Sequence, residues 1–340
     1  MIKYLGSKRL LIDRLVEAIV GEGARTALDL FAGTSRVGHA LKRAGVRVHA
    51  NDHNAYAFTL ARTYVAADAR RWRAPAERVL AELQTLPGRA GWFTETYCVR
   101  SRYLQPENGA RVEAIRERIA AMALEPELEA IVLTSLVEAA DRVDSTVGVQ
   151  MAYLKSWSRR SSNPLVLRLP ELLDGEGSAS CLDALEAAER FEADVVYLDP
   201  PYNQHSYLGN YHLWETLVRW DRPEVYGVAC KRTDVRERGS VFNRRGQMAA
   251  AFAEVLDRVR ARRLVVSFSD EGFLALPELR AMLAARGAVH EVAVEHPRYI
   301  GHRLGVYSPQ GEKVGTPGRA RNHEHLFVVD TTAAALQPTG

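Results

Sequence analysis

The chain has 340 residues, of which 47% are hydrophobic and 26% are charged, so a disordered, collagen-like or coiled-coil protein is excluded. The formal net charge of +3 is too small to indicate a nucleic-acid partner by itself. The three cysteines lie far apart and form no CxxC pair, so neither a disulfide framework nor a cysteine-rich zinc site is expected. No apolar run is long enough for a membrane span, and the charged N-terminus does not resemble a signal peptide.

The first 55 residues predict a helix, a strand, a glycine-containing turn, a second helix and a second strand. The strands are expected at residues 26–31 and 46–50, the second helix at 35–44, and the acidic residue Asp52 follows the second strand. This alternation is typical of the opening unit of a doubly wound nucleotide-binding sheet. The predicted fold class is therefore α/β.

Residues 56–175 differ in character, because they show no alternation of strand and helix. Helices are predicted at residues 75–86, 110–122 and 127–140, with a polar, aromatic loop at 92–97. Alternation then resumes, and the predicted elements are helices at 182–189, 246–262 and 277–286, strands at 193–198 and 263–268, and an antiparallel pair at 289–294 and 325–329. We predict a discontinuous sheet domain of residues 1–55 and 176–332, a mainly helical insertion of residues 56–175, and a tail of residues 333–340.

The motif Asp199-Pro200-Pro201-Tyr202 ends the apolar strand predicted at residues 193–198. Open α/β sheets bind their ligands at the carboxyl ends of strands. Two consecutive prolines fix an extended turn, so the Asp199 carboxylate and the Pro200 carbonyl could together accept the two hydrogens of an amino group. Tyr202 adds a flat face on which a base could stack. The motif predicts a pocket for an aromatic amine.

The loop from Asp29 to Thr34 is expected to form the other side of this pocket. Gly33 permits a close approach of the backbone to a ligand. The loop has no GxGxxG pattern, which favours a nucleoside with a non-phosphate tail. Asp52 is either a ribose acceptor or a surface turn residue. The N-terminal Gly6-Ser7-Lys8 lacks the upstream glycine of a phosphate-binding loop, so Lys8 could hold a carboxylate instead.

The segments Lys3-Tyr4-Leu5-Gly6-Ser7-Lys8, Asp29-Leu30-Phe31-Ala32-Gly33 and Asp199-Pro200-Pro201-Tyr202 occur in this order, with a long insertion before the last. In this respect the chain resembles the alpha-class adenine-specific DNA methyltransferases, the DNA adenine methylase family, over most of its length. The resemblance implies a Rossmann-like, S-adenosylmethionine-dependent methyltransferase sheet with a target-recognition insertion. It also implies methyl transfer from S-adenosylmethionine to the N6 amino group of a flipped adenine in double-stranded DNA.

The resemblance further implies roles for individual residues. Lys8 would bind the methionine carboxylate of the cofactor, with Tyr4 packing nearby, while Asp52 would bind the ribose and Asp183 the cofactor's adenine amine. The residues around the methionine moiety and part of the nucleoside would be Asp29, Phe31, Gly33 and Thr34. The residues that hold the target adenine would be Asp199, Pro200, Pro201 and Tyr202.

Contacts to DNA are expected from the insertion and from loops near the catalytic motif. Residues 151–168 are basic and contain no acid, and residues 203–212 are polar and aromatic. Phosphate contacts would position the duplex, whereas Gln150 could read a base edge. The tentative set of DNA-binding residues is Gln150, Lys155, Arg159, Arg160, His205, Tyr207 and Arg244. An ordinary solvated, charged surface remains the alternative for each of them.

Two other functions stay open from the sequence. Methylation of adenine in ribosomal or other RNA could use the same pocket, although the opening Asp199 and the large insertion argue against it. A non-catalytic nucleic-acid-binding relative is the third hypothesis, and the intact Lys8, Gly33 and Tyr202 argue against it. His323 and His325 alone are too few ligands for zinc, so no metal is expected.

The resemblance also suggests cellular context. The enzyme would belong to a restriction-modification system or act as an orphan methylase, and a cognate restriction endonuclease would then act separately. We expect a monomer or weak dimer in the cytoplasm, associated with the nucleoid.

Overall fold

The computed structural model describes residues 1–6, 8–21, 23–151, 156–297, 306–307, 313–315 and 321–331. The strands within these residues are β1 (Thr26–Asp29), β2 (Arg47–Asn51), β3 (Ser178–Ser180), β4 (Val195–Leu198), β5 (Val225–Tyr226), β6 (Lys231–Arg232), β7 (Arg263–Ser269), β8 (Ala288–Pro297), β9 (Val306–Tyr307), β10 (Lys313–Gly315) and β11 (Arg321–Asp330). The predicted tail, residues 333–340, lies outside the described residues.

One seven-stranded sheet organises the molecule, in the order β3-β2-β1-β4-β7-β11-β8. Its strands run parallel except β11, which pairs antiparallel with both β7 and β8. The strand order reverses between β1 and β4, and such a switch point opens a crevice at the carboxyl ends of the strands. The α/β fold class and the closing antiparallel pair predicted from the sequence are confirmed.

Helices cover both faces of this sheet and form a further layer beside it. They are α1 (Ile12–Val20), α2 (Arg36–Arg43), α3 (Ala55–Ala61), α4 (Ala69–Gln84), α5 (Trp92–Thr94), α6 (Pro106–Met122), α7 (Pro126–Val143), α8 (Ala184–Arg190), α9 (Tyr207–Asn210), α10 (His212–Arg219), α11 (Met248–Arg258) and α12 (Leu276–Ala284). Two π-helical segments, Arg62–Ala66 and Glu95–Arg100, continue α3 and α5.

The two faces of the sheet bury separate apolar cores. Helices α1 and α2 and the first π-helical segment pack on one face, where Leu15 and Leu41 are fully buried. Helices α8, α11 and α12 pack on the other face, with Phe252 and Leu279 in its core. Because strands alternate their side chains between faces, Val265 joins the first core and Val266 the second.

A third core unites the helical insertion with the segment that follows the catalytic motif. Ile115 on α6 and Leu136 on α7 pack in one cluster with Tyr56 on α3 and with Trp214 and Leu217 on α10. Trp214 is fully buried. The proposed insertion of residues 56–175 therefore shares its core with residues beyond it, and the exact domain boundaries remain a prediction.

The structure corrects the expected start of the first insertion helix. The sequence predicted a helix at residues 75–86, but α4 begins at Ala69 and contains Pro75. Asp68 precedes it and its side chain accepts a hydrogen bond from the Arg70 amide, which is a normal N-terminal cap. The capping carboxylate, rather than the proline, marks the helix start.

The loop predicted at residues 92–97 is also wrong, because α5 and the second π-helical segment occupy it. Glu113 on α6 is 1% exposed, and its carboxylate accepts from the amides of Gly91 (2.7 Å), Phe93 (3.1 Å) and Thr94 (2.9 Å). These amides begin the helical segment, where intrahelical acceptors are lacking. A carboxylate distant in sequence therefore supplies the cap.

Part of the polar loop expected at residues 203–212 is helical as well. Ser206 caps the short helix α9, because its hydroxyl accepts from the Gly209 amide at 3.1 Å. Leu208 and Tyr211 are buried, and α10 begins at His212. Within the described residues, no helix combines the length and apolarity that a membrane span requires.

Glu113→Ala is expected to lower the free energy of unfolding by about 2–4 kcal/mol, because buried amides lose a charged acceptor. Urea denaturation measures the change. Glu117→Ala on the same helix is the matched control, because Glu117 pairs at the surface with Arg89 and should contribute less than about 1 kcal/mol. Equal losses in the two variants would contradict the capping role.

Candidate active site

Three carboxylates meet at the carboxyl edge of the sheet. Asp29 ends β1, Asp52 follows β2 and Asp199 follows β4, and these strands are neighbours. All three residues line one cavity of about 350 Å³. The pocket predicted from the two motifs is therefore formed by neighbouring strand ends, as parallel sheets favour.

The glycine loop after β1 forms one wall of the cavity. Gly33 has φ of +51°, and its amide donates to the Asp52 carboxylate at 3.0 Å. A Cβ atom at this position would lie 3.0–3.3 Å from atoms of the Tyr4 ring. A side chain at Gly33 would thus meet both an unfavourable backbone conformation and a crowded neighbour.

Asp29 is 1% exposed and lies at the base of the cavity. Its Oδ2 atom accepts from the Gly38 amide at 3.2 Å, whereas Oδ1 has no hydrogen-bond partner within the part of the chain that the structure describes. Burial and the negative charges of Asp199 and Asp52 raise the pKa of Asp29 to about 7, against the opposing effect of the Gly38 amide. This carboxylate is suited to receive a cationic amine.

Lys8 connects the motif from Asp199 to Tyr202 with strand β11. It is 7% exposed, and its Nζ atom lies 2.9 Å from Asp199 Oδ1 and 2.8 Å from Glu324 Oε1. Burial lowers the pKa of Lys8, but the two carboxylates outweigh it and raise the pKa well above its usual value. Burial raises the pKa of Asp199 to about 6, with Lys8 opposing and Glu324 adding to the rise.

Four tyrosines pack together and join the N-terminal motif to the segment after Tyr202, and two of them, Tyr4 and Tyr207, line the cavity. The ring of Tyr4 stacks on Tyr207 with centroids 5.2 Å apart and on Tyr211 with centroids 4.8 Å apart. Its hydroxyl lies 3.4 Å from that of Tyr56. Burial raises the pKa of Tyr4 well above its usual value, so the ring stays neutral.

Comparison with known families agrees with this arrangement. The family model described as D12 class N6 adenine-specific DNA methyltransferase matches residues 4–268. The chain belongs to this family. The matched range includes both motifs and the glycine loop, but ends before β8 and β11.

Two named methyltransferases are similar in sequence to this chain. The chain is 29% identical over 307 residues to Type II methyltransferase M.FokI of Planomicrobium okeanokoites, which covers 84% of this chain and 47% of that protein. It is 28% identical over 313 residues to Type II methyltransferase M.NlaIII of Neisseria lactamica, covering 87% of this chain and 92% of that protein. The chain thus spans about half the length of M.FokI but nearly all of M.NlaIII.

A solved structure with partial similarity is the SAM-dependent methyltransferase from Agrobacterium tumefaciens. The TM-score is 0.38 with 11% sequence identity, and the match covers 97% of this chain and 63% of that one.

The other residues predicted to bind cofactor lie in or beside the cavity. Asp52 also accepts from the Asn54 amide at 2.9 Å, and Asp183 caps α8 by accepting from the Leu185 amide at 2.9 Å. Phe31 packs edge-on against Phe242, with ring centroids 5.1 Å apart. Thr34 is buried in the cavity wall. The structure brings these residues together, and their cofactor contacts remain predictions.

The catalytic motif is held rigidly at its strand end. Pro200 is buried and Pro201 lines the cavity. The Tyr202 ring lies 5.5 Å from that of Phe268, and the Tyr202 carbonyl accepts from the Phe273 amide at 2.7 Å. Its predicted stacking on a target base remains a prediction.

Two of the predicted DNA-binding residues make contacts within the protein. Gln150 is 1% exposed, and its amide, oriented to satisfy both of its atoms, donates to the Asn210 carbonyl and accepts from Trp214 Nε1. Such a buried amide cannot reach a base edge in this conformation. Arg160 donates to the Asp144 carbonyl at 2.8 Å and to the Asp144 carboxylate at 2.6 Å, so its guanidinium fastens a turn of the protein.

The remaining predicted DNA-binding residues differ in exposure and location. Arg159, His205 and Arg244 are exposed, as a surface contact requires. Tyr207 instead lines the cavity and stacks on Tyr4. Lys155 lies outside the described residues.

Sequence reasoning missed Glu324, which is 8% exposed in the middle of β11. Leu326 lies two residues further along the same strand, and therefore on the same face, and belongs to the core beneath α1, so Glu324 points to the face on which Lys8 lies. The signal available in the sequence was an acidic residue on the same strand face as apolar residues. Ser267 on β7 donates to Glu324 Oε1 at 2.8 Å.

The two histidines near this acid have ordinary surroundings. His325 Nδ1 lies 2.8 Å from Glu291 Oε1, and His323 is largely exposed. Among the described residues, no group of three or more His, Cys, Asp or Glu side chains could hold a metal ion.

Asp29→Asn is expected to stabilise the ligand-free protein on the order of 2 kcal/mol at pH 8, with the gain vanishing near pH 4. The folded-state pKa of about 7 exceeds the unfolded value of 3.8, so the native state binds more protons in this range and wild-type stability falls as pH rises. Urea denaturation at several pH values measures the difference.

Asp194→Asn is the matched control, and its expected effect on stability at pH 8 has the opposite sign. Amide hydrogen bonds from Arg25 and Thr26 help to lower the pKa of Asp194 to about 2, so its charge stabilises the fold at neutral pH. This variant should lose stability at pH 8 and approach wild type near pH 2. A destabilised Asp29→Asn protein at pH 8 would refute the destabilising effect assigned to the ionised, buried Asp29 carboxylate.

Proposed function

We propose that the chain is a site-specific DNA adenine methyltransferase that transfers a methyl group from S-adenosylmethionine to the N6 amino group of an adenine in double-stranded DNA. The observation that carries the proposal is the motif from Asp199 to Tyr202, fixed at the end of β4 beside a cavity walled by the glycine loop. Membership of an N6 adenine-specific family supports the choice of base.

The cavity fits S-adenosylmethionine by the chemistry of its lining. Asp29 offers an unpartnered, buried carboxylate oxygen for a cationic amine, and no diphosphate-binding pattern competes with this choice. Gly33 and Thr34 would hold the methionine moiety with Phe31, while Asp52 would bind the ribose and Asp183 the adenine amine. When bound, the cofactor supplies an electrophilic methyl group on a positively charged sulfur.

Adenine is a weak nucleophile, and the residues of the motif would increase the reactivity of its amino nitrogen. The lone pair of its amino nitrogen is delocalised into the ring. Hydrogen bonds from this amino group to the Asp199 carboxylate and the Pro200 carbonyl would draw the nitrogen toward a pyramidal form. Tyr202 would stack on the base and offset part of the cost of unstacking it from the duplex. Positioning and fixed charge therefore provide most of the rate enhancement.

The DNA itself would lie over the mouth of this cavity, against the insertion of residues 56–175, which we assign to target recognition. Arg159, His205 and Arg244 are the exposed residues that would contact it. The names Type II methyltransferase and modification methylase carried by the relatives support a place in a restriction-modification system. A cognate endonuclease would then act separately, and the methylase would work as a monomer or weak dimer near the nucleoid.

Asp199→Ala should reduce adenine methylation by at least about 10²-fold, because the amino group loses its charged acceptor. Modified-base sequencing of plasmid DNA from cells that produce each protein measures the mark and its sequence context. Asp270→Ala is the matched control, since Asp270 follows the neighbouring strand β7 but is exposed. N6-methyladenine confined to ribosomal RNA would favour the RNA alternative and refute DNA as the substrate.

Arg159→Ala should weaken binding to duplex DNA and reduce the slope of log affinity against log salt by about 1, because one phosphate contact is lost. Fluorescence anisotropy with a labelled duplex at several salt concentrations measures both effects. Arg160→Ala should chiefly lower thermal stability, since Arg160 is bound to Asp144. An unchanged salt slope for Arg159→Ala would remove this residue from the interface.

A further inference from the structure

Glu324 is a buried acid that the matched family range, residues 4–268, does not include. It contacts the active site through the 2.8 Å pair with Lys8 Nζ, and Lys8 in turn pairs with Asp199 at 2.9 Å. The Ser267 hydroxyl donates to the same Glu324 oxygen at 2.8 Å. Three segments distant in sequence therefore meet in a cluster that consists of Lys8, Asp199 and Glu324.

The charge balance of this cluster matters for the proposed reaction. The amino nitrogen of adenine gains positive charge as it accepts a methyl group, and the methyl donor is itself a cation. A lysine beside Asp199 would by itself cancel the negative charge that these cations need. Glu324 supplies a second carboxylate to the same ammonium, so the ionised cluster has a net charge of about −1 by the ordinary side-chain charges.

We propose that Glu324 is a positioning residue for methyl transfer, which holds Lys8 and compensates its charge so that Asp199 presents net negative charge to the target amino group. This inference rests on the proposed function and assigns Lys8 to the catalytic carboxylate rather than to the carboxylate of the cofactor. Glu324 does not touch the substrate; it acts through Lys8.

The surroundings of the cluster support this assignment. Lys8 is 7% exposed and Glu324 is 8% exposed, so solvent screens their interaction little. The same Lys8 ammonium already faces two carboxylates, and a third from the cofactor would add to a site that is negative in sum. Within the described residues, the titratable groups that face Asp199 besides Lys8 and Glu324 include Asp29 on β1, Tyr197 on β4, and Tyr202 and Tyr207 in the segment after it.

Glu324→Gln keeps the shape and the acceptor oxygen of the side chain but removes its charge. We expect the single-turnover rate on saturating duplex DNA to fall about 10-fold or more, while the dissociation constants of DNA and S-adenosylmethionine change little. We also expect the acidic limb of the pH–rate profile to move to lower pH, because the negative charge of Glu324 disfavours ionised Asp199. Glu291→Gln on β8 is the matched control, and the acidic limb of its pH–rate profile should not move.

A double-mutant cycle tests whether Glu324 acts through Lys8. Lys8→Met should move the acidic limb to higher pH, and Glu324→Gln should slow the Lys8→Met enzyme no further. If Lys8→Met does not fold, the shift in the acidic limb of the pH–rate profile of Glu324→Gln alone still tests the positioning role.

The outcomes separate this inference from the function on which it rests. A wild-type protein that methylates no adenine in DNA overturns the proposed function. An active wild type, with a Glu324→Gln variant that is less stable but has an unchanged rate per folded molecule and an unchanged pH limb, overturns the positioning role alone.

Discussion

Electrostatic repulsion between carboxylates at one edge of the sheet is the constraint that shapes this active site. Asp29, Asp52 and Asp199 end or follow three adjacent parallel strands, and their repulsion adds to burial in raising the pKa of Asp29. Amide donors and a lysine offset part of this repulsion. The Gly33 and Gly38 amides each donate to one of these carboxylates, and Lys8 pairs with another. The ionised carboxylates therefore favour a positively charged group beside them.

The sequence predicted the parts of the fold that short-range pattern determines. The apolar strands and the residues at their carboxyl ends followed from periodicity and position, and the confirmed strand order then brought Asp29 and Asp199 together. The start of α4 was missed although its cap, Asp68, is local, whereas other errors arose where a distant residue decided the local structure. No local pattern shows that Glu113 caps the helix at Trp92, or that Asn210 and Trp214 enclose Gln150. Periodicity also leaves the partner of Glu324 undetermined, because Lys8 is more than 300 residues away.

The helical layer is structurally continuous with the catalytic motif, although the two are separated in sequence. Helix α10 begins ten residues after Tyr202 and places Trp214 in the core formed by α6 and α7. Glu215 on the same helix accepts from the Tyr56 amide at 3.0 Å, where α3 begins. A displacement of the helical layer would therefore move the segment that leads away from the motif, so the layer that we assign to target recognition and the motif share one packed support.

The close packing of Tyr4 against the glycine loop restricts how relatives of this chain can diverge. A Cβ atom at Gly33 would lie 3.0 Å from the Tyr4 hydroxyl and 3.2 Å from its ring, which stacks on Tyr207 and Tyr211. Asn is the replacement that best tolerates a left-handed backbone, yet it still needs the space that the ring fills. A lineage that exchanged Gly33 for Asn would have to acquire a smaller side chain at position 4 and a bulkier one at position 207 to refill the gap. These three positions should therefore evolve together.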